Sequence, residues 1–164
     1  VRLLAIDSAT CSGWARLDGE RLIAHGTVEA GDLLRLDAFA RSACAGARPD
    51  LVVIEDNFVM RGKKANPNVM KVLSRIVGAW QLAFAVRGVP TEIVMPNIWQ
   101  RGVLGMLTKG GTKKAAALWV RATYGVTAGE DQCDAIGLAA HVARRELVAA
   151  RLRTAGAVPR AALL

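Results

Sequence analysis

The chain predicts a mixed α/β sheet in which a three-strand antiparallel meander joins parallel strands and helices flank the whole. Three observations predict it. Strand-like segments crowd the first 29 residues around the turn "LDGE". Strand-length apolar runs then alternate with segments of helical period. Two of the apolar runs, "LLAID" and "LVVIE", end on a carboxylate, where an open α/β sheet gathers its ligands.

The meander covers about Arg2 to Asp7, Gly13 to Leu17 and Arg21 to Glu29. Leu33, Leu34, Leu36, Phe39 and Ala40 then recur at helical spacing behind Asp32, a capping residue, in a helix that stops before Pro49. "DLVVIED" is apolar throughout, as in a strand buried on both faces, and the helical crossover places it parallel to the first strand. A long helix begins at Asn66 and Pro67, a cap and first-turn pair, and closes on Gly88. Its apolar residues, Val69, Val72, Ile76, Trp80, Leu82 and Val86 among them, leave little polar circumference. Two readings follow: a partner helix from a second subunit, or a central core helix. "PTEIVMP" is a short strand, "NIWQRGVLG" a short helix, "TKGGTKK" a loop, Thr112 to Tyr124 a helix, and Asp131 to about Arg153 a last long helix.

At 164 residues the chain fits one domain, read as 1–153 with a flexible tail over 154–164. No apolar run reaches the roughly 18 residues of a membrane span, and no leader pattern opens the sequence, so a cytoplasmic location is expected. Cys11, Cys44 and Cys133 are far apart and lack CxxC spacing, which supports neither a disulfide framework nor a zinc site. Lys and Arg outnumber Asp and Glu by 22 to 14, a net charge of +8 that favours a polyanionic partner, nucleic acid first.

A buried strand that ends on an unpaired acid is costly unless a cation or a hydrogen-bond network takes up the charge. Asp7 and Glu55 hold matching strand-end places, and neighbouring strands would bring them together. Asp131 and Asp134, three apart at a helix start, project from one face with Cβ atoms about 5–6 Å apart. Taken alone, that pair reads better as helix-start acids favoured by the macrodipole, and strand-end Asp7 and Glu55 tip the balance toward a site. Four converging carboxylates raise one another's pKa unless a divalent ion intervenes, and an all-oxygen set favours Mg²⁺, with Mn²⁺ as substitute. Two such ions can activate a water and stabilise the leaving oxygen of a phosphodiester. Asp56 and Glu130 adjoin the candidate ligands, but strand alternation turns Asp56 away from Glu55.

The pattern "LLAIDSATCSGWA", "LVVIEDNF" and a late "DQCDAIGLAAH" resembles the RuvC family of Holliday junction resolvases in the ribonuclease H-like superfamily. The resemblance spans nearly the whole chain. It implies a homodimeric endonuclease that cuts four-way DNA junctions with paired symmetric nicks, using Mg²⁺ held by Asp7, Glu55, Asp131 and Asp134. The family commonly has Pro-Gly after its first Asp, where this chain has "DSATCSGWA", closer to phage-like or divergent members.

Two loops face the expected DNA. "NFVMRGKKANPN" resembles the family's junction-entering loop and carries Phe58, which stacks on a base or anchors the loop, beside Arg61, Lys63 and Lys64. "TKGGTKK" sets Lys109, Lys113 and Lys114 around a helix start suited to phosphate, and no Walker pattern aligns there. By analogy with the family, a lysine of this loop, Lys113 ahead of its neighbours Lys109 and Lys114, would stabilise charge at the scissile phosphate. Arg101 adds a further cation; Trp99 beside it reads as core, and His25 and His141 carry no catalytic signal. The leading expectation is therefore a dimeric junction resolvase using two Mg²⁺ ions, dimerising through the 67–88 helix. The alternatives are a ribonuclease H-like nuclease for other branched DNA or RNA:DNA hybrids, and a protein that binds junctions without cutting them. A two-lobed actin-like ATPase needs a longer chain.

Overall fold

The computed structural model describes residues 1–56, 66–105 and 112–154. The strands are β1 (Arg2–Asp7), β2 (Cys11–Asp18), β3 (Arg21–Glu29), β4 (Leu51–Glu55) and β5 (Thr91–Val94). The helices are α1 (Leu33–Ala45), α2 (Pro67–Ala85), α3 (Pro96–Leu104), α4 (Thr112–Tyr124) and α5 (Glu130–Thr154). One sheet runs in the order β3-β2-β1-β4-β5. β1 to β3 pair antiparallel, while β4 lies parallel to both β1 and β5, the mixed arrangement the sequence predicts.

Side-chain alternation sorts the core into two layers. Leu3, Ala5 and Val53 point into one cluster with Trp99, Val120 and much of α5, whereas Leu4, Ile6, Val52 and Ile54 point into the other with α1 and α2. An aromatic chain fills the second layer: Trp14 to Phe39 at 5.3 Å between ring centroids, Phe39 to Trp80 at 5.7 Å, and Trp80 to Phe84 at 6.1 Å. Such tilted and stacked pairs add specificity beyond the area they bury.

The caps are where the sequence signals put them. Asp32 accepts hydrogen bonds from the N–H groups of Leu34 and Arg35, and Asn66 accepts one from Asn68 with Pro67 in the first turn. Boundaries move by a few residues. α2 ends at Ala85 rather than running to Gly88, which instead takes φ +64° in the turn beyond, a conformation open to glycine. β2 starts at Cys11, and α5 includes Glu130 and Thr154, so the expected tail begins inside the helix; residues 155–164 lie outside the described residues. Among the described residues no helix is long and apolar enough to cross a membrane.

α2 buries Ile76, Trp80, Ala83 and Phe84 against the sheet. Val69, Val72, Leu82 and Val86 stay exposed, Leu82 at 64% and Val86 at 69%. The core-helix reading is therefore true of one face only; the other leaves these apolar residues uncovered in the single chain, interspersed with exposed Lys71, Ser74 and Arg75.

Candidate metal centre

The sheet's periodicity brings the first two acids together. Asp7 shares the face of Leu3 and Ala5, and Glu55 the face of Leu51 and Val53, which is the face that α5 covers. The parallel register sets Ile6 beside Ile54, so the next residue on each strand, Asp7 and Glu55, falls at the same level. Their carboxyls are hydrogen-bonded to each other. Ser8, fully buried, donates its hydroxyl to the Glu55 carbonyl at 2.7 Å and stitches the two strand ends.

A glycine brings the second pair. Gly13 is the register partner of Asp7 on β2, and the first turn of α5 lies directly on it. A Cβ at Gly13 would lie 2.1 Å from the Asp131 carbonyl oxygen and 2.8 Å from the Gln132 nitrogen, both backbone atoms. Only a residue without a side chain lets the helix approach this closely. The same turn is tied to β3 through His25, whose Nδ1 is 2.7 Å from Gln132 Oε1. Asp131 thus stands over the end of β1, with Asp134 one turn along on the same side.

The electrostatics record the convergence. Burial pushes Asp7 up to about 9; the hydrogen bond and charge of Glu55 and the charge of Asp131 act in the same direction, against Lys113. Asp134 is pushed up to about 7, first by burial and then by Asp7, again with Lys113 opposing. Burial also raises Glu55, although hydrogen bonds from Asp7 and Trp99 hold it down. Three neighbouring carboxyls above their ordinary range mean excess negative charge in a partly dehydrated site. Lys113 acts on the cluster, yet its ammonium is spent on Glu130 at 2.5 Å, with both side chains exposed. The set of oxygen donors suits hard divalent ions by its chemistry, since a cation would offset both the burial and the mutual repulsion that raise these groups. Among the described residues, no three His, Cys, Asp or Glu side chains form a closed ligand set as they stand. Asp7 and Glu55 turn to each other instead.

The other candidates divide. Lys113 lies in the first turn of α4 near the acids, and Lys114 and Arg101 are exposed. Phe58, Arg61, Lys63, Lys64 and Lys109 lie outside the described residues. Asp56 donates its N–H to the Val94 carbonyl, extending the β4–β5 ladder past Glu55. His141 packs on Gly102, where a Cβ would lie 2.3 Å from its Nδ1, and burial then Arg145 lower its pKa; it is a packing residue between α3 and α5. Trp99 is fully buried, as a core reading requires, and its Nε1–H also donates to Glu55 Oε1 at 2.8 Å. The sequence signal for that second contact was available: a buried indole needs an acceptor. His25 is the other contact that sequence reasoning missed.

No protein-family model matches the chain, and no curated protein does. Solved structures do. Thermus thermophilus RuvC superposes with a TM-score of 0.70 at 20% identity, covering 90% of this chain and 97% of that one. T. thermophilus RuvC in complex with Holliday junction substrate gives 0.74, also at 20% identity, with 90% and 96% covered. The yeast mitochondrial Holliday junction resolvase Ydc2 gives 0.58 at 12% identity, with 93% and 82% covered. With the meander, the parallel strands and the helices in the same arrangement over nine-tenths of its length, this chain has the ribonuclease H-like fold of the RuvC resolvases.

Proposed function

We propose that this protein is a structure-selective endodeoxyribonuclease that resolves four-way DNA junctions by hydrolysis with two divalent ions, Mg²⁺ or in its place Mn²⁺. What supports the reading is the mutual charge interaction of Asp7, Glu55, Asp131 and Asp134 beside the carboxyl ends of β1 and β4, in a chain of RuvC-type fold and net charge +8. These four would hold the ions, which when bound neutralise a phosphodiester and lower the pKa of an attacking water. Asp7 and Glu55 act from strand ends that cannot shift without breaking the sheet, so they set the reference geometry. Asp131 and Asp134 close on them from α5. Lys113, freed from Glu130, would reach a phosphate oxygen beside the acids, at the positive end of the α4 dipole.

The polyanion would be branched DNA. Arg101, Lys109 and Lys114 would contact its backbone, while Phe58, Arg61, Lys63 and Lys64 would enter the junction. A homodimer through α2 is supported by the exposed Val69, Val72, Leu82 and Val86, and would present two such sites for paired symmetric nicks. We assign the activity to the cytoplasm, consistent with free Cys11, Cys44 and Cys133.

The test is nicking of a synthetic four-way junction against fork, flap and RNA:DNA hybrid substrates in Mg²⁺. Paired symmetric nicks in the junction are expected, and Asp7→Asn abolishes them while junction binding persists. Preference for fork, flap or hybrid would move the assignment to another branched-substrate nuclease. Binding indifferent to Mg²⁺, with Asp7→Asn neutral, would leave a junction-binding protein that does not cut.

A further inference from the structure

We propose that Trp99 is a positioning residue for the metal centre, holding the Glu55 carboxylate by one oxygen and so fixing its orientation beside Asp7 for an incoming ion. The inference rests on the nuclease reading above and adds to it a residue outside the acidic cluster. Its basis is geometric: the indole Nε1–H donates to Glu55 Oε1 at 2.8 Å, and the ring that carries it is fully buried.

Indole suits this task by its chemistry. Its N–H only donates and does not titrate in the working range, so it fixes a carboxylate oxygen without cancelling the charge an ion needs. A lysine in that place would neutralise the ligand, and a histidine would compete for the ion. Outer partners of this kind orient ligands and tune affinity.

The ring is locked from behind. A Cβ on Gly137 of α5 would lie 2.5 Å from Trp99 Cζ3 and 3.1 Å from Cε3, so the helix backbone presses on the six-membered ring. One turn further along α5, His141 meets Gly102 of α3 in the same close manner. α3 is therefore seated on the helix that brings Asp131 and Asp134, and Trp99 passes that seating to the acid on β4. A Glu side chain has three rotatable bonds, and removing the indole takes away a fixed donor that restrains its head.

The test is Mn²⁺ binding by calorimetry on the DNA-free protein, with cleavage kinetics alongside. Two substitutions remove the donor: Trp99→Phe, and site-specific replacement of Trp99 by benzothienylalanine, which keeps the bicyclic shape without an N–H. The isostere is expected to bind Mn²⁺ about 10- to 100-fold more weakly. Its melting temperature should stay within about 2 °C of wild type, and kcat should fall with KM for the junction unchanged. Unchanged Mn²⁺ affinity in the isostere overturns the proposal alone. So does an isostere whose affinity and melting temperature fall together, since packing would then explain both. Wild-type protein that binds no Mn²⁺ overturns the metal-dependent reading itself, and this inference with it.

Discussion

Gly13 is the residue on which the site turns. It pairs with Asp7 on one side and carries the first turn of α5 on the other, so a single absent side chain brings together acids more than 120 residues apart. Gly13→Ala is expected to cost about 1–3 kcal/mol, the usual range for overpacking against atoms that cannot yield. Cleavage should fall further than stability, because the helix start must move away from Asp7. Thermal unfolding and single-turnover cleavage of the same preparation check this; an alanine variant as stable and active as wild type would mean that α5 does not need this approach. In the sequence, Gly13 reads only as part of a Gly-Trp pair beginning a strand. Its partner atoms belong to the backbone of another element, and no local pattern encodes such a contact. Asp7 and Glu55 were legible because a charge at the end of an apolar run contradicts its surroundings.

Among elements, α2 shows most clearly what periodicity does and does not say. Its near-complete apolar circumference announced that one sheet face would not cover it, and exposed Leu82 and Val86 agree. If the proposed dimer forms through α2, Leu82→Glu is expected to shift it to monomer in size-exclusion chromatography with light scattering, by placing a charge in the seam. Its melting temperature at low concentration should scarcely change, since Leu82 is not in the folded core of one chain. A monomeric wild type would remove α2 as the dimer seam. The strands and helices were read in the right order because caps and breakers such as Asp32, Asn66 with Pro67, and Pro49 are local devices. The end of α2 was not, since Val86 to Gly88 complete a turn by backbone bonds to Leu82, Phe84 and Ala85 that hydrophobic pattern does not distinguish from helix.

For the whole molecule, the acidic cluster links folding to pH and, under the proposed function, to divalent ions. Asp7 near 9 and Asp134 near 7 bind protons more firmly in the folded chain than in the unfolded one, where aspartate titrates near 4. Without divalent ions, their contribution to stability is complete below about pH 4 and declines as pH rises toward 9. Mg²⁺ should reverse that trend, because carboxylates bind it only once their protons leave. The melting temperature is thus expected to rise more with Mg²⁺ at pH 8.5 than at pH 5.5, with each kcal/mol worth about 2–4 °C in a chain of this size. Equal shifts at the two pH values, followed by calorimetry, would dissociate the cluster from ion binding.

Two of the four candidate ligands, Asp131 and Asp134, arrive on α5, which packs on β1 and β2 although it is made more than a hundred residues later. A polypeptide still emerging from the ribosome has translated Asp7 and Glu55 but has no Asp131 or Asp134 to set beside them. A centre that needs all four acids therefore comes into being only once α5 has been synthesised, so a product terminated before Glu130 carries the strand-end pair alone.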